Sequence, residues 1–491
     1  MTTSSEAAAA PGGSDAPRPP KNAVDRYFMI SARGSSFARE IRGGIVTFFA
    51  MAYIVVLNPL IVGTAKDAAG ATLGIPEVAA GTALIAGAMT VLMGVIGRYP
   101  LALAAGLGLN AFVALSIASQ MTWPEAMGLV VIEGVVITLL VLTGFRTAVF
   151  EAIPLHLKTA ISVGIGLFIA FVGLVDGGFI RATPSGTPPV QLGIGGNLQG
   201  WPTLVFVIGL LLTAVLVARG VKGAILVSIV ATTIVALVIE AFTGVGAAGP
   251  KNPTGWSLVV PKLPDTLVRS PDFSLLGHVN LVGAFVHVGV IAGVLIVFTL
   301  LLADFFDTMG TVVGVSAEAG LLTRRGEVPG VSRVLFVDSI AAAAGGAASV
   351  SSNTTYIESA AGVGEGARTG LASVVTGVLF LLAMFLTPLV SIVPFEAATP
   401  ALVVVGFLMT TQVRNIDFTD YPTAIPAFLT IVLMPLTYSI TNGIGAGFVS
   451  YVVIRLAQGR WREIHWLLWI VSALFVVYFA IAPIEQALGV R

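Results

Sequence analysis

The sequence has no cysteine, few histidines and little charge, and each shortage removes a class of function. Without cysteine there is no disulfide, no thiolate nucleophile and no sulfur-ligated metal. The four histidines, His156, His278, His287 and His465, are scattered, so neither a histidine metal cluster nor a clear Ser–His pair is laid out on the chain. Charged residues make up only 10% of 491, where a soluble domain carries about 25%. The 25 basic and 25 acidic side chains cancel, which leaves no electrostatic footprint for a nucleic acid. A short apolar core with a cleavage site is also missing near the start. Residues 1–43 are rich in Ala, Pro, Ser and Gly and then carry Lys21, Arg26, Arg33, Arg39 and Arg42, so they read as a cytoplasmic tail and not as a signal peptide.

What is abundant is apolar surface: 56% of residues are hydrophobic and the mean hydropathy is +0.97. A helix needs roughly 20 apolar residues to cross the hydrocarbon core. Runs of that kind fall near 44–64, 79–97, 101–119, 126–143, 157–175, 203–219 and 223–244. After a Pro-rich connector, 247–283, more follow near 284–303, 331–348, 352–364, 368–393, 398–412, 424–439 and 440–457. Barrel strands alternate over about 10 residues, and these runs do not alternate. The expected fold is therefore an all-α polytopic membrane protein of about 14 transmembrane segments, with lipid as its surroundings. A further apolar run, 464–486, is either an extra span or a helix at the cytoplasmic face.

Lys and Arg favour the cytoplasmic side of short loops. With the N-terminus inside, the even-numbered gaps should be basic. They hold Arg98, Arg146 with Lys158, Arg219 with Lys222, Arg324 with Arg325 and Arg333, Arg368, Arg414, and Arg455 with Arg460 and Arg462. Only the long connector, with Lys251, Lys262 and Arg269, departs from the pattern. The chain also looks duplicated. Phe150-Glu151-Ala152 recurs as Phe395-Glu396-Ala397, Asn110 corresponds to Glu358, and Asn58 corresponds to Asp307, at offsets between 245 and 249 residues. Two halves of seven spans must be oppositely oriented, and inverted repeats are a transporter device.

Three apolar segments are interrupted by polar groups at membrane depth. One is Leu103-Ala104-Ala105-Gly106-Leu107-Gly108-Leu109-Asn110-Ala111-Phe112, where two glycines beside an Asn suit a short strand running into a half-helix. Its counterpart is Ser349 through Ser359, containing Thr355, Tyr356 and Glu358. Between them, Asp304-Phe305-Phe306-Asp307-Thr308 ends a strongly apolar run. A carboxylate at the bilayer centre costs from about 3 kcal/mol upward, so each needs a reason to be there. Asp304 and Asp307, three apart, would share a helix face. Asn110 and Glu358 would face each other where the half-helices begin. Carboxylate acceptors, an amide and the aromatic rings of Phe112, Phe305 and Tyr356 would together suit a flat, neutral heterocycle bearing N–H donors. Glu133 and Asp338 also lie at depth and read as supporting acids.

The motifs Arg39-Glu40-Ile41-Arg42-Gly43-Gly44 through Asn58-Pro59-Leu60, Gly106 through Phe112, Asp304-Phe305-Phe306-Asp307-Thr308-Met309-Gly310-Thr311, Ser352 through Gly364 and Ser439 through Gly447 resemble those of the AzgA-like purine permeases of the nucleobase–ascorbate transporter superfamily. The resemblance covers about residues 26–480. It implies two inverted seven-span repeats with spans 3 and 10 broken. A core domain would comprise 44–145 and 284–393, and a gate domain 146–246 and 394–457, joined by an extracytoplasmic connector at 247–283, with 458–491 as a C-terminal apolar segment. It also implies uptake of adenine, guanine and hypoxanthine through the cell membrane, with no cofactor beyond a proton as coupling ion. By the family pattern Asn110, Asp304 and Glu358 look like purine contacts, with Phe112, Phe305, Thr308 and Thr355 completing the candidate set. Asp307, together with Glu358, looks like the proton-coupling site. Relatives that carry uracil place a histidine one turn after the first acid of span eight; position 308 here is Thr. The resemblance allows a homodimer, although the sequence shows no dimer signal. The competing readings are an anion carrier on the same fold, a membrane enzyme and a passive channel. The first meets three carboxylates near the proposed site, and the second finds no catalytic constellation on the spans.

Overall fold

The computed structural model describes residues 19–143, 153–183, 186–323 and 328–487, with side chains described for all of these except Phe306 and residues 481–487. Residues 1–18 of the tail, Arg146, the Phe150-Glu151-Ala152 landmark, Arg324 and Arg325 lie outside the described residues. Because lipid offers nothing to a bare N–H or C=O, the apolar runs pair their backbone internally as helices. In chain order they are α1 (Phe37–Met51), α2 (Ile54–Val62), α3 (Ile75–Leu92), β1 (Leu103–Ala105), α4 (Leu107–Ala111), α5 (Trp123–Thr143), α6 (Leu155–Asp176), α7 (Trp201–Ala218) and α8 (Ala224–Thr243). The second half supplies α9 (Val290–Glu318), α10 (Val331–Ala347), β2 (Asn353–Thr355), α11 (Ser359–Gly364), α12 (Gly370–Ala383), α13 (Pro400–Thr410), α14 (Tyr421–Leu436), α15 (Ile440–Ala457) and α16 (Trp466–Ala487). A small hairpin, Ile180–Ala182 with Val190–Leu192, decorates the loop after α6.

Among the described residues, ten helices are long and apolar enough to cross a membrane, from Phe37–Val62 to Ile440–Ala457. The difference from fourteen has a local cause at each place. The half-helices α4 and α11 are short because each follows a strand, while α10 and α14 have only 17 and 16 residues. The first span starts at Phe37, earlier than position 44, because the Ser36 side chain caps it by accepting from the Arg39 N–H. The 464–486 run forms α16, which packs on α15 and α9. Its Phe475 is fully buried, and a Cβ added at Gly445 would come within 2.4 Å of that ring.

Helix contacts come in pairs related by the repeat. α3 packs on α12 and α10 packs on α5; α1 packs on α12 and α9 packs on α5; α7 packs on α8 and α14 packs on α15; α14 packs on α6 and α13 packs on α7. Shifting each member by seven spans turns one contact of each pair into the other, as an inverted duplication requires. β1 and β2 meet antiparallel at the centre, with Leu103 opposite Thr355 and Ala105 opposite Asn353. Small residues let the helices approach, since lipid supplies no hydrophobic drive between them. A Cβ on Gly377 would lie 2.6 Å from the Gly87 carbonyl, and one on Gly406 would lie 2.3 Å from the Gly166 carbonyl.

Candidate functional site

Extended backbone at membrane depth needs partners, and the two strands find them in each other and in nearby hydroxyls. Gly106 N–H donates to the Ser352 carbonyl at 3.0 Å and Tyr356 N–H to the Ala102 carbonyl at 2.9 Å. Ser359 Oγ accepts from Ala102 N–H, and Thr90 Oγ1 accepts from Leu103 N–H while donating to the Leu103 carbonyl. Asn58, fully buried, donates through Nδ2 to Thr82 Oγ1 and to the carbonyl of Val350, just before β2. The Tyr356 hydroxyl donates to the Ala105 carbonyl at 2.5 Å and ties the two segments at their crossing.

A cleft of about 90 Å³ opens beside that crossing, room for several water-sized groups. Asp307 and Thr311 of α9, with Thr355, Tyr356 and Glu358 from the β2 segment, form its polar side. Ile165 of α6 with Val405 and Met409 of α13 form its apolar side. Tyr53, in the break between α1 and α2, completes the wall and donates its hydroxyl to Glu358 Oε1 at 2.5 Å. Among the described residues, no Lys, Arg or His lines this cleft. It continues into a vestibule of about 620 Å³ that shares Asp307 and Glu358 and reaches out to Ser162, Lys158 and Gln412.

The glycines that mark the first broken segment are required by close approach. A Cβ on Gly108 would stand 2.6 Å from Ile165 Cγ2, and one on Gly106 would stand 2.8 Å from Thr354 Cγ2. The broken segment therefore presses against both α6 and its partner strand.

Of the sequence candidates, Glu358, Asp307 and Thr355 come together at the cleft, and Asn110, Asp304, Phe112, Phe305 and Thr308 do not line it. Asp304 and Asp307 do not share a face. Three residues fall about 60° short of a full turn. The cleft takes the Ala303, Asp307, Thr311 stripe, spaced by four. Asp304 is fully buried, with the Thr354 hydroxyl as the hydrogen-bonding group that acts on its carboxylate. Thr308 turns toward the strand, donating to Asp338 Oδ2 at 2.8 Å and sharing a hydrogen bond with Thr354 Oγ1 at 2.7 Å. Thr355 Oγ1 donates to Asp338 Oδ1 at 2.8 Å. Asp338 thus clamps β2 to α9, and Glu133 accepts a long 3.4 Å contact from Ser352 Oγ. Asn110, fully buried, reaches the Ala105 carbonyl at 3.5 Å with its Nδ2. Phe112 and Phe305 are core residues, 1% and 6% exposed. Tyr53 was absent from the candidate set. Its signal was a hydroxyl in an otherwise apolar run, which a buried tyrosine has to satisfy.

Comparison with known proteins gives a consistent set of matches. The Permease family model, Xan_ur_permease, matches residues 38–446. The guanine/hypoxanthine permease PbuG of Bacillus subtilis is 37% identical over 462 residues, 92% of this chain and 98% of that protein. The adenine permease AdeP of Escherichia coli is 37% identical over 458 residues, 92% of this chain and 95% of that protein. Among solved structures, the transmembrane domain of the cyanobacterium bicarbonate transporter BicA superposes with a TM-score of 0.58 at 15% identity, covering 83% of this chain and 96% of that one. At that identity the likeness is one of fold.

Proposed function

The chain belongs to the Permease family, within the nucleobase–ascorbate transporter superfamily, and from that premise we propose that it imports the purine nucleobases adenine, guanine and hypoxanthine by proton symport. It is a multi-pass membrane transporter and not an enzyme. The observation that carries the proposal is the cleft at the strand crossing, where Asp307 and Glu358 face an apolar wall with no cationic side chain among the described residues between them.

A purine offers ring N–H and exocyclic amino donors. Carboxylates at Asp307 and Glu358 accept these, the Thr311 hydroxyl adds a donor or acceptor, and Thr355, whose hydrogen goes to Asp338, adds an acceptor. Ile165, Val405 and Met409 cover the ring face. Tyr53 acts as a positioning residue, fixing the Glu358 carboxyl by its hydrogen bond. Asn110, Asp304, Phe112, Phe305 and Thr308 act from behind the wall by holding the half-helix and β2 in place. Asp307 and Glu358 serve as coupling acids because each is close enough to the base to exchange its hydrogen bond for a proton.

Alternating access follows if 44–145 with 284–393 form a core domain that rocks against a gate domain of 146–246 with 394–457. The cleft walls divide along that line, with Asp307 and Glu358 on one side and Ile165, Val405 and Met409 on the other. With the N-terminus cytoplasmic, the vestibule at Lys158 and Gln412 opens inward. Uptake of labelled hypoxanthine and adenine at two external pH values, in cells lacking their own carriers, tests both parts. Saturable uptake that rises at the more acidic pH is expected. Uptake indifferent to a collapsed proton gradient contradicts the coupling. An anion carrier, the alternative reading, would place its substrate against two carboxylates, an arrangement that disfavours an anion.

A further inference from the structure

A second concavity, of about 390 Å³, shares no lining residue with the cleft or the vestibule. Three segments form it: Arg33 precedes α1, Arg98 and Tyr99 follow α3, and Pro329 with Arg333 flank the start of α10. Among the described residues, three arginines line it and no Asp or Glu does. Arg33 donates through Nη1 to the carbonyls of Arg98 at 2.7 Å and Arg368 at 2.9 Å, and its guanidinium lies 5.1 Å from the Tyr99 ring centre. Arg98 stacks over Tyr27 at 4.2 Å. The Tyr99 hydroxyl donates to the Pro329 carbonyl and closes the floor. Among the described residues, Glu40 is the acid whose charge acts on Arg33. Its two oxygens are taken by the N–H groups of Arg368 and Thr369, and it does not line the pocket. Among the described residues, none of the three guanidinium groups pairs with a carboxylate.

Two features show that this arrangement is held at a cost. Partial burial pulls the Arg33 guanidinium below the ordinary arginine range, with the Arg98 charge adding to the effect. Arg98 itself sits at φ 57°, a left-handed conformation that glycine adopts without strain and arginine does not. Like charges gathered around a concavity without counter-charge attract an anion, and guanidinium forks match phosphate oxygens in pairs. Basic pockets between membrane helices take anionic headgroups on the same principle.

We propose that the Arg33–Arg98–Arg333 pocket binds a phosphate group, which ties the segment before α1 to the ends of α3 and α10. The phosphate comes either from an anionic phospholipid headgroup or from a free phosphate compound. The test is the thermal unfolding midpoint of the full chain in neutral detergent, titrated with phosphatidylglycerol, with inorganic pyrophosphate, and with phosphatidylcholine as control. Arg333→Gln is the informative variant, because Arg333 is exposed, in the first turn of α10. Phosphatidylglycerol should raise the wild-type midpoint, and Arg333→Gln should need about tenfold more for the same rise, the loss of one charge-assisted hydrogen bond. A response to phosphatidylglycerol alone identifies a lipid headgroup, and a response to pyrophosphate as well identifies a free phosphate. No rise with either, or equal titrations for wild type and Arg333→Gln, overturns the proposal. Uptake of purine does not enter the readout, so its outcome is independent of the transport assignment.

Discussion

Glu358 carries the heaviest single-residue demand in this account, because it both faces the cleft and accepts the Tyr53 hydroxyl. Hydrogen bonds to charged groups contribute about 1.5–3 kcal/mol. Tyr53→Phe should therefore raise the KM for purine uptake roughly tenfold or more. The maximal rate should change less, and the pH profile should shift if the acid it positions handles the proton as proposed. An unchanged profile with a lower amount of folded protein would mark Tyr53 as merely structural. Gly108 makes a steric prediction. Gly108→Ala should cut uptake, because its methyl would meet Ile165 Cγ2. Adding Ile165→Ala should restore part of it. Failure of that rescue, at equal membrane expression, would show that the contact is not what limits transport.

At this scale the sequence disclosed which polar residues lie at depth, since the cost of burying them makes each conspicuous. It did not disclose which way they point. Asp304 and Asp307 are both acids on one apolar helix, yet one is sealed in the core and the other lines the cleft. Periodicity reads the face of a long helix, and the polar side of this cleft is bounded by α9, the broken segments at Gly106 to Leu109 and Thr355 to Glu358, and a break at Tyr53, over which no period is established. Asn110 and Phe112 fall outside the cleft lining for the same reason: α4 has five residues before it loosens into a wider turn.

Among the elements, the broken segments were the most legible feature. Gly106, Gly108 and the Ser/Thr-rich run before Glu358 marked both strands, and β1 and β2 form where they were expected. The pairing of β1 with β2 came from the duplication, since equivalent segments of inverted halves must meet near the pseudo-twofold axis. One inter-element contact was invisible in the sequence. Lys222, between α7 and α8, pairs with Glu365 after α11, and Arg42 of α1 joins at 2.8 Å. The Lys222 hydrogen bond, then the charges of Lys222 and Arg42, hold the Glu365 carboxyl below the usual carboxylate range. A depressed acid adds stability above its ordinary pKa and loses it as pH falls through the folded value. Acid unfolding of the purified protein should therefore include a component from Glu365 below about pH 4. Glu365→Gln should remove it, and a variant whose pH–stability curve matches wild type would show that the pair contributes nothing.

For the whole molecule, the repeat-related helix contacts, the antiparallel crossing and the cleft between α9 and the α6–α13 pair describe a carrier with its opening on one side. The absence of cysteine makes that opening directly testable, because any introduced thiol is alone in the chain. Gln412→Cys should react with an impermeant maleimide in inside-out vesicles and not in intact cells, and purine should slow the reaction. Labelling from the outside only would place the vestibule on the other face. The fold at this level was legible from hydropathy; segment length was less so, since α4, α10, α11 and α14, each read as an apolar run, are shorter than the ten spanning helices.

The most direct measurement is a competition panel for labelled hypoxanthine uptake, run on wild type, Glu358→Gln and Asp307→Asn at matched membrane expression. The account predicts saturable uptake in wild type, displaced by unlabelled adenine, guanine or hypoxanthine and not by bicarbonate or sulfate, and a fall to background in both variants. Uptake that both variants retain, or that anions displace while purines do not, would contradict it.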